Sequence, residues 1–278
     1  NLNNCDREMI HLPGSIQPHG VLFVLSEPDL KIEQISNNSE NCMGIPPETL
    51  LGEDLSILFE HEQIHQIRSC LEVNFETINP LKLFIQLKEI KKKFDGIIHR
   101  SNQGKIILEI EPGNDPDDSS FFHFHKLTKN AIAKMQTSAK LSDICALIVK
   151  EIRQITGFER VMVYRFDAEG AGVVIAEDKQ DELESYLGLH YPDSDIPKQA
   201  KYLYSLNWLR LIPDINYQPA AIICNQENQP NFNLDLTFSV LRSVSPIHIK
   251  YLKNMGVRAS MSISLIKNRQ LWGLIACH

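Results

Sequence analysis

In "LRSVSPIHIKYLKNMGV", residues 241–257, a proline opens a short helical segment and a glycine closes it, the asymmetry helices favour at their two ends. Arg242, Ser245, His248 and Tyr251 fall close together here, and His248 and Tyr251 stand three residues apart, on one helix face. Upstream, "HYPDSDIPKQAKYLY" (190–204) strings acceptors and turn formers ahead of a second helix, predicted over 197–206 and started by Pro197. Downstream, "RASMSIS" (258–264) has the two-residue period of a strand. Ser260, Ser262 and Ser264 share one face and Met261, Ile263 and Leu265 the other. The last strand, "LWGLIACH" (271–278), ends in His278. A row of hydroxyls beside arginine and histidine points to an anionic ligand held by several hydrogen bonds. Taken alone, a serine row is more often a solvent face.

The 278 residues suffice for one large or two ordinary domains, and an apolar content of 43% provides a sizeable core. A net charge of −7 argues against a general affinity for nucleic acid or anionic membrane. The basic cluster Lys91-Lys92-Lys93 reads as a solvated edge or turn. No run approaches the roughly 20 apolar residues of a membrane helix, and no signal peptide is recognisable. Cysteines 5, 42, 70, 145, 224 and 277 are scattered without a C-x-x-C pair, which fits a reducing, cytoplasmic setting. Five read as small buried hydrophobes. Cys5 stands apart, in a polar leader ahead of the breaks at Pro13, Gly14, Pro18 and Gly20.

Two α+β units on antiparallel sheets are expected. In the first, "VLFVL" (21–25), "KLFIQLKEI" (82–90), "GIIHR" (96–100), "KIILEIE" (105–111) and "FFHFH" (121–125) read as strands. Residues 101–104 form a hairpin turn between two of them. A helix near 60–73 carries Ile64, Ile67 and Leu71 on one face. The second unit begins near Leu127. Its first helix places Leu141, Ile144, Leu147, Ile148, Ile152 and Ile155 at helical spacing and closes at Gly157. "VMVYRF", "GVVIA", "SMSISLI" and "LWGLIAC" supply strands, the last two joined around Asn268. "HEQIH" (61–65) matches the H-E-x-x-H zinc pattern, with His61 and His65 as ligands and Glu62 as base, but lacks a convincing third ligand. "HFH" (123–125) puts two imidazoles on one strand face, more simply a surface than a metal site.

Together "PGSIQPHG", "YPDSDIPKQAKYLY", "LRSVSPIHIKYLKNMGV" and "LWGLIACH" resemble the PAS–GAF photosensory module of the phytochromes, over the whole chain. The resemblance implies an N-terminal segment (1–20), a PAS domain (21–126) and a GAF domain (127–278) whose C-terminal part is missing. It implies a figure-eight knot, with Ile16 at the crossing and the breaker-rich stretch 212–233 as lasso. In the biliverdin-binding branch a cysteine ahead of the PAS domain forms a thioether with ring A, and Cys5 stands at that place. The branch using phycocyanobilin or phytochromobilin has its cysteine just before the helix histidine, where this chain has Ile247. The cofactor implied is therefore covalently bound biliverdin IXα.

The same resemblance distributes the site residues. Asp195, Ile196 and Pro197 match the D-I-P motif at the pyrrole nitrogens, and His248 the histidine beside the rings. Arg210 and Arg242 match one set of propionate partners and Ser260 and Ser262 the other. Tyr164, Tyr191 and Tyr204 match the aromatic box around ring D, although many relatives have phenylalanine where Tyr191 stands. Ser245 and Ile247 line the same site, Tyr251 changes partner between the two light states, and His278 donates to the ring D carbonyl. The fragment is then a photosensor and not itself an enzyme, attaching its bilin autocatalytically. Longer relatives continue into a PHY domain and usually a histidine kinase, implying a homodimer and a response regulator as partner. A GAF-type sensor of another small ligand, such as a cyclic nucleotide, would have no use for Cys5 or the paired arginines. A phytochrome taking phycocyanobilin is the closer alternative.

Overall fold

The computed structural model describes residues 8–71, 79–87, 90–113, 128–129, 132–133, 140–225 and 234–278. Cys5, "FFHFH" with its histidine pair, and residues 226–233 of the long stretch lie outside them. The α+β reading holds: two antiparallel sheets, each with helices. The chain forms two compact units, the described residues of Met9–Asp115 and Asn216–Pro246 in one, those of Asn1–Glu8, Pro116–Ile215 and Ile247–His278 in the other.

The first unit is built on strands β1 (Ser15–Ile16), β2 (Val21–Leu25), β3 (Ile32–Ser36), β4 (Leu81–Leu87), β5 (Ile90–Arg100), β6 (Ile106–Pro112) and β11 (Ala220–Cys224). Their spatial order is β1-β11-β3-β2-β6-β5-β4. β2 is continuously apolar because both its faces are buried. Val21, Phe23 and Leu25 join the main core with Ile64 and Ile67 of helix α2 (His61–Leu71), which follows the short helix α1 (Ser39–Met43). Leu22 and Val24 face a second cluster with Ile16, Ile107, Leu234, Leu236 and Leu241. Ala220, Leu234, Leu236 and Leu241 of the returning chain thus cover the sheet's other face.

Two expectations need correction. "KLFIQLKEI" is not one strand: β4 ends at Leu87 and β5 begins at Ile90. Lys91–Lys93 are solvated as expected at Lys91 and Lys92, but form neither edge nor turn: they follow Ile90 in β5, which lies between β6 and β4. The hairpin at 101–104 forms as expected, closed by the Ser101 N–H to the Lys105 carbonyl and by Gly104 at φ +79°.

The second unit orders β10 (Leu209–Ile212), β12 (Ser260–Lys267), β13 (Gln270–Cys277), β7 (Arg160–Phe166), β8 (Gly172–Lys179) and β9 (His190–Tyr191), in that sequence across the sheet. Helix α3 (Leu141–Thr156) ends at Gly157, left-handed at φ +75°. It packs Cys145 and Val149 against Val161, Val163, Ala176 and Ile275, with Met261, Ile263 and Leu265 alongside. The expected apolar stripe is only partly used: Leu141 is 54% exposed, and Cys145 and Val149 form its centre. The other sheet face carries the serines of β12. Ser264 Oγ donates to the Tyr204 carbonyl of helix α4 (Lys198–Leu206), which places α4 on that face. Helix α5 (Pro246–Asn254) precedes β12.

Candidate functional site

The segment from β9 into α4 is short and tightly tied. After Tyr191 the chain makes a 3-10 turn over Asp193–Asp195, passes through extended Ile196, and enters α4 from Pro197. Proline serves here because its fixed φ suits the helix entry and a first-turn N–H has no helical partner anyway. Lys201, one turn into α4, holds the loop: Nζ donates to Asp193 Oδ1 and, at 2.6 Å, to the Gly170 carbonyl, and lies 5.0 Å from the centre of the Phe166 ring. Gly170 has φ +93°, and a Cβ there would sit 2.3 Å from Asp193 Oδ1, so only glycine fits.

With Asp193 engaged by Lys201, Asp195 interacts with Tyr251 of α5. Burial raises the Asp195 pKa, and the interaction with Tyr251 opposes the rise. Burial pushes Tyr251 up to about 12, and the nearby Asp195 charge adds to it. One helical turn back, the His248 ring lies 6.2 Å from that of Tyr251 and nearly parallel to it, at 13°. Burial, then the Arg210 charge, lower the His248 pKa to about 4, so it is a neutral imidazole at pH 7. His278, at the end of β13, is also lowered to about 4, by burial and then by Arg160 and His248. Its Nδ1 is buried without a hydrogen-bond partner among the described residues.

Tyr164 lies 5.8 Å from Tyr191 and 5.3 Å, edge-on, from Phe166. Its ring occupies the space a side chain on Gly172 would take: a Cβ there would be 2.0 Å from Tyr164 Cζ. On the serine face, Arg210 Nε and Nη1 donate to Ser262 and Ser264 Oγ, each at 2.9 Å, and Nη1 also to the Asn207 carbonyl. The guanidinium lies 4.0 Å over the Tyr204 ring. Ser260 is buried at the start of the same strand.

The second unit therefore contains Tyr164, Tyr191, Asp195, Ile196, Pro197, Tyr204, Arg210, Ile247, His248, Tyr251, Ser260, Ser262 and His278. Arg242, Ser245 and Ile16 belong to the first. There Arg242 Nη1 donates to the Leu236 and Thr237 carbonyls, at 3.0 and 3.1 Å. Ile16, fully buried, forms a β-bridge with Arg242. Ile247 is 44% exposed on the first turn of α5. His61 and His65 project from the exposed side of α2, and among the described residues no three His, Cys, Asp or Glu side chains cluster as a metal site.

Sequence reasoning missed Lys201, Asp193, Arg160 and Glu177. Arg160 lies 3.6 Å over the Tyr186 ring and 3.4 Å from Glu177, whose carboxylate accepts the Tyr186 and Leu187 N–H groups. The one signal was a charge at the mouth of an apolar strand, too common to single out.

Comparison with known proteins agrees with this architecture. Residues 5–113 match the model of the PAS fold and residues 140–278 that of the GAF domain. Cyanobacterial phytochrome B of Nostoc sp. is 54% identical over 278 residues, covering all of this chain and 37% of its own length. A bacteriophytochrome of Pseudomonas aeruginosa is 39% identical, also across the whole chain and 37% of its own. The crystal structure of the chromophore-binding domain of a Stigmatella aurantiaca phytochrome superposes with a TM-score of 0.91 at 48% identity, over 99% of this chain and 90% of that one. The fold and these likenesses define a PAS–GAF module. The chain belongs to the phytochrome family, and it spans a little over a third of the length of the curated relatives it matches.

Proposed function

We propose that this chain is a red/far-red light-sensing module that holds a linear tetrapyrrole, biliverdin, through Cys5. The observation that carries the reading is the polar face of the second unit: two neutral imidazoles, one with a buried nitrogen that has no hydrogen-bond partner among the described residues, beside a pair of mutually tilted tyrosine rings and an arginine set on serines. A biliverdin is a flat conjugated body with carbonyl and N–H edges and two carboxylates. It needs aromatic walls, a few placed hydrogen-bonding groups and cationic partners. The tyrosines Tyr164, Tyr191 and Tyr204 would supply the wall and His278 Nδ1 a partner for a terminal carbonyl. The D-I-P turn and His248 would serve the pyrrole nitrogens. Arg210, Arg242, Ser260 and Ser262 would hold the carboxylates, with Ser245, Ile247 and Tyr251 lining the same site.

When bound, the bilin supplies light absorption and a methine double bond that isomerises at ring D. The protein's part is to hold the other rings. Cys5 ahead of the PAS domain, and Ile247 where a GAF cysteine would stand, favour biliverdin over phycocyanobilin. The N-terminal segment, pairing at β1 with β11, is where a knot centred on Ile16 would form. The whole protein would act in the cytoplasm as a homodimer, passing its signal through a kinase to a response regulator. No described helix is long and apolar enough to cross a membrane.

Adding biliverdin and recording absorption before and after red light tests the proposal. A red band that photoconverts, with a zinc-fluorescent covalent band on a denaturing gel that Cys5→Ser abolishes, is expected. Protein that stays colourless refutes bilin binding. A covalent band persisting in Cys5→Ser moves the attachment site, and assembly with phycocyanobilin alone replaces biliverdin.

A further inference from the structure

Glu109 lies in β6, an interior strand of the sheet, with Leu22 of β2 on one side and Ile97 of β5 on the other. Strand alternation points its side chain at the face that carries Leu22, Val24 and Ile107. That face is not solvent, and Glu109 is 1% exposed. Its carboxylate is saturated with donors. Oε1 accepts from Val240 N–H and His99 Nε2, both at 3.0 Å. Oε2 accepts from Ser239 Oγ at 2.5 Å and Leu241 N–H at 2.7 Å. Three of the four donors come from consecutive residues of the returning segment, about 130 positions away in the chain.

Those residues lead straight into Arg242. The Leu241 carbonyl accepts from Gln17 N–H at 2.7 Å, Ser243 N–H donates to the Ser15 carbonyl, and Ile16 bridges Arg242 between them. Leu241 packs under Gly20, where a Cβ would approach its side chain to 2.7 Å. The backbone around Arg242 is thus tied on one side to the N-terminal strand, through Gln17, Ser15 and Ile16, and on the other to one carboxylate, through Val240 and Leu241. Glutamine could not replace that carboxylate. Either orientation of its amide would set an NH2 against a backbone N–H, that of Val240 or of Leu241.

We infer that Glu109 is a positioning residue for the chromophore's carboxylate, acting through residues 239–241 to aim the Arg242 guanidinium. The inference rests on the proposed role of Arg242. Biliverdin and its dimethyl ester, measured at equilibrium in the Cys5→Ser background, separate the possibilities. Glu109→Gln should weaken free biliverdin about tenfold and leave the ester unchanged, as Arg242→Ala should, and the double variant should bind no worse than Arg242→Ala. Equal loss of acid and ester would make Glu109 a fold-stabilising residue only and overturn the inference. So would wild-type affinity in Glu109→Gln while Arg242→Ala is weakened. Wild-type affinity in Arg242→Ala would instead refute the role of Arg242, and the inference with it. Should Glu109→Gln not fold, Ser239→Ala removes a single donor and must show the same acid-selective loss, in smaller measure.

Discussion

Two carboxylates of this molecule have opposite surroundings. Glu109 is sealed in the first unit and accepts four hydrogen bonds. Asp195 is half-buried in the second, interacts with Tyr251, and has a raised pKa. A buried carboxylate surrounded by donors works as a fastener, because every alternative arrangement strands polar groups. One that is half-buried beside a tyrosine can change partners at lower cost. The same functional group is thus static in the scaffold and available in the site.

The contrast breaks first on stability. Glu109→Ala should cost about 3–5 kcal/mol, since it leaves buried donors facing a cavity, while Asp195→Ala should stay within about 1 kcal/mol. Urea unfolding of the two variants compares them, and equal costs would erase the distinction. Asp195→His should still assemble with biliverdin but photoconvert poorly and fluoresce more. Unchanged photoconversion would remove Asp195 from the mechanism.

Acid should weaken the second unit more than the first. His248 and His278 are held near 4, below the ordinary 6.5, so the unfolded chain binds more protons than the folded one between those values. Stability is then complete above pH 6.5 and falls as pH drops toward 4. His248→Gln should flatten that fall in the bilin-free protein, and an identical pH profile would show that His248 is not buried neutral. With bilin bound, His248→Ala should bleach the red band at mildly alkaline pH.

A smaller effect sharpens the comparison within the aromatic wall. Gly172→Ala should cost about 1–3 kcal/mol by evicting the Tyr164 ring, and the cost should disappear in a Tyr164→Ala background. A cost that persists there would place the strain in β8 itself. Smallest of all, Tyr251→Phe should change stability by about 1 kcal/mol or less while raising the Asp195 pKa further. Infrared titration of the carboxyl would detect it, and no shift would mean that the tyrosine does not hold Asp195.

The elements and the site differ in how legible they were. Helix α3 with its Gly157 end, the hairpin at 101–104 and the Asn268 turn follow from local rules. So does the serine face of β12, because a two-residue period survives whatever packs on the strand. Asp195, His248 and Tyr251 stand in short motifs, and the His248–Tyr251 contact follows from their spacing on one helix, but the contact between Asp195 and Tyr251 joins separate elements and has no local signature. Leu141 looked like core and is exposed, since periodicity identifies a stripe without saying how far along the helix the sheet reaches.

The sequence by itself determined the two α+β units and the family, because these rest on patterns read over a few consecutive residues. Only the tertiary structure decided that the described residues of Asn216–Pro246 fold with the first unit and that β11 lies between β1 and β3. It also decided that Glu109, at the place in an alternating strand where solvent is expected, faces Ser239 and Leu241 instead. The reason is the same in each case. A pairing between residues some 130 or 200 positions apart is selected by the burial and hydrogen bonding it completes, and neither partner's neighbours in the chain carry a trace of it.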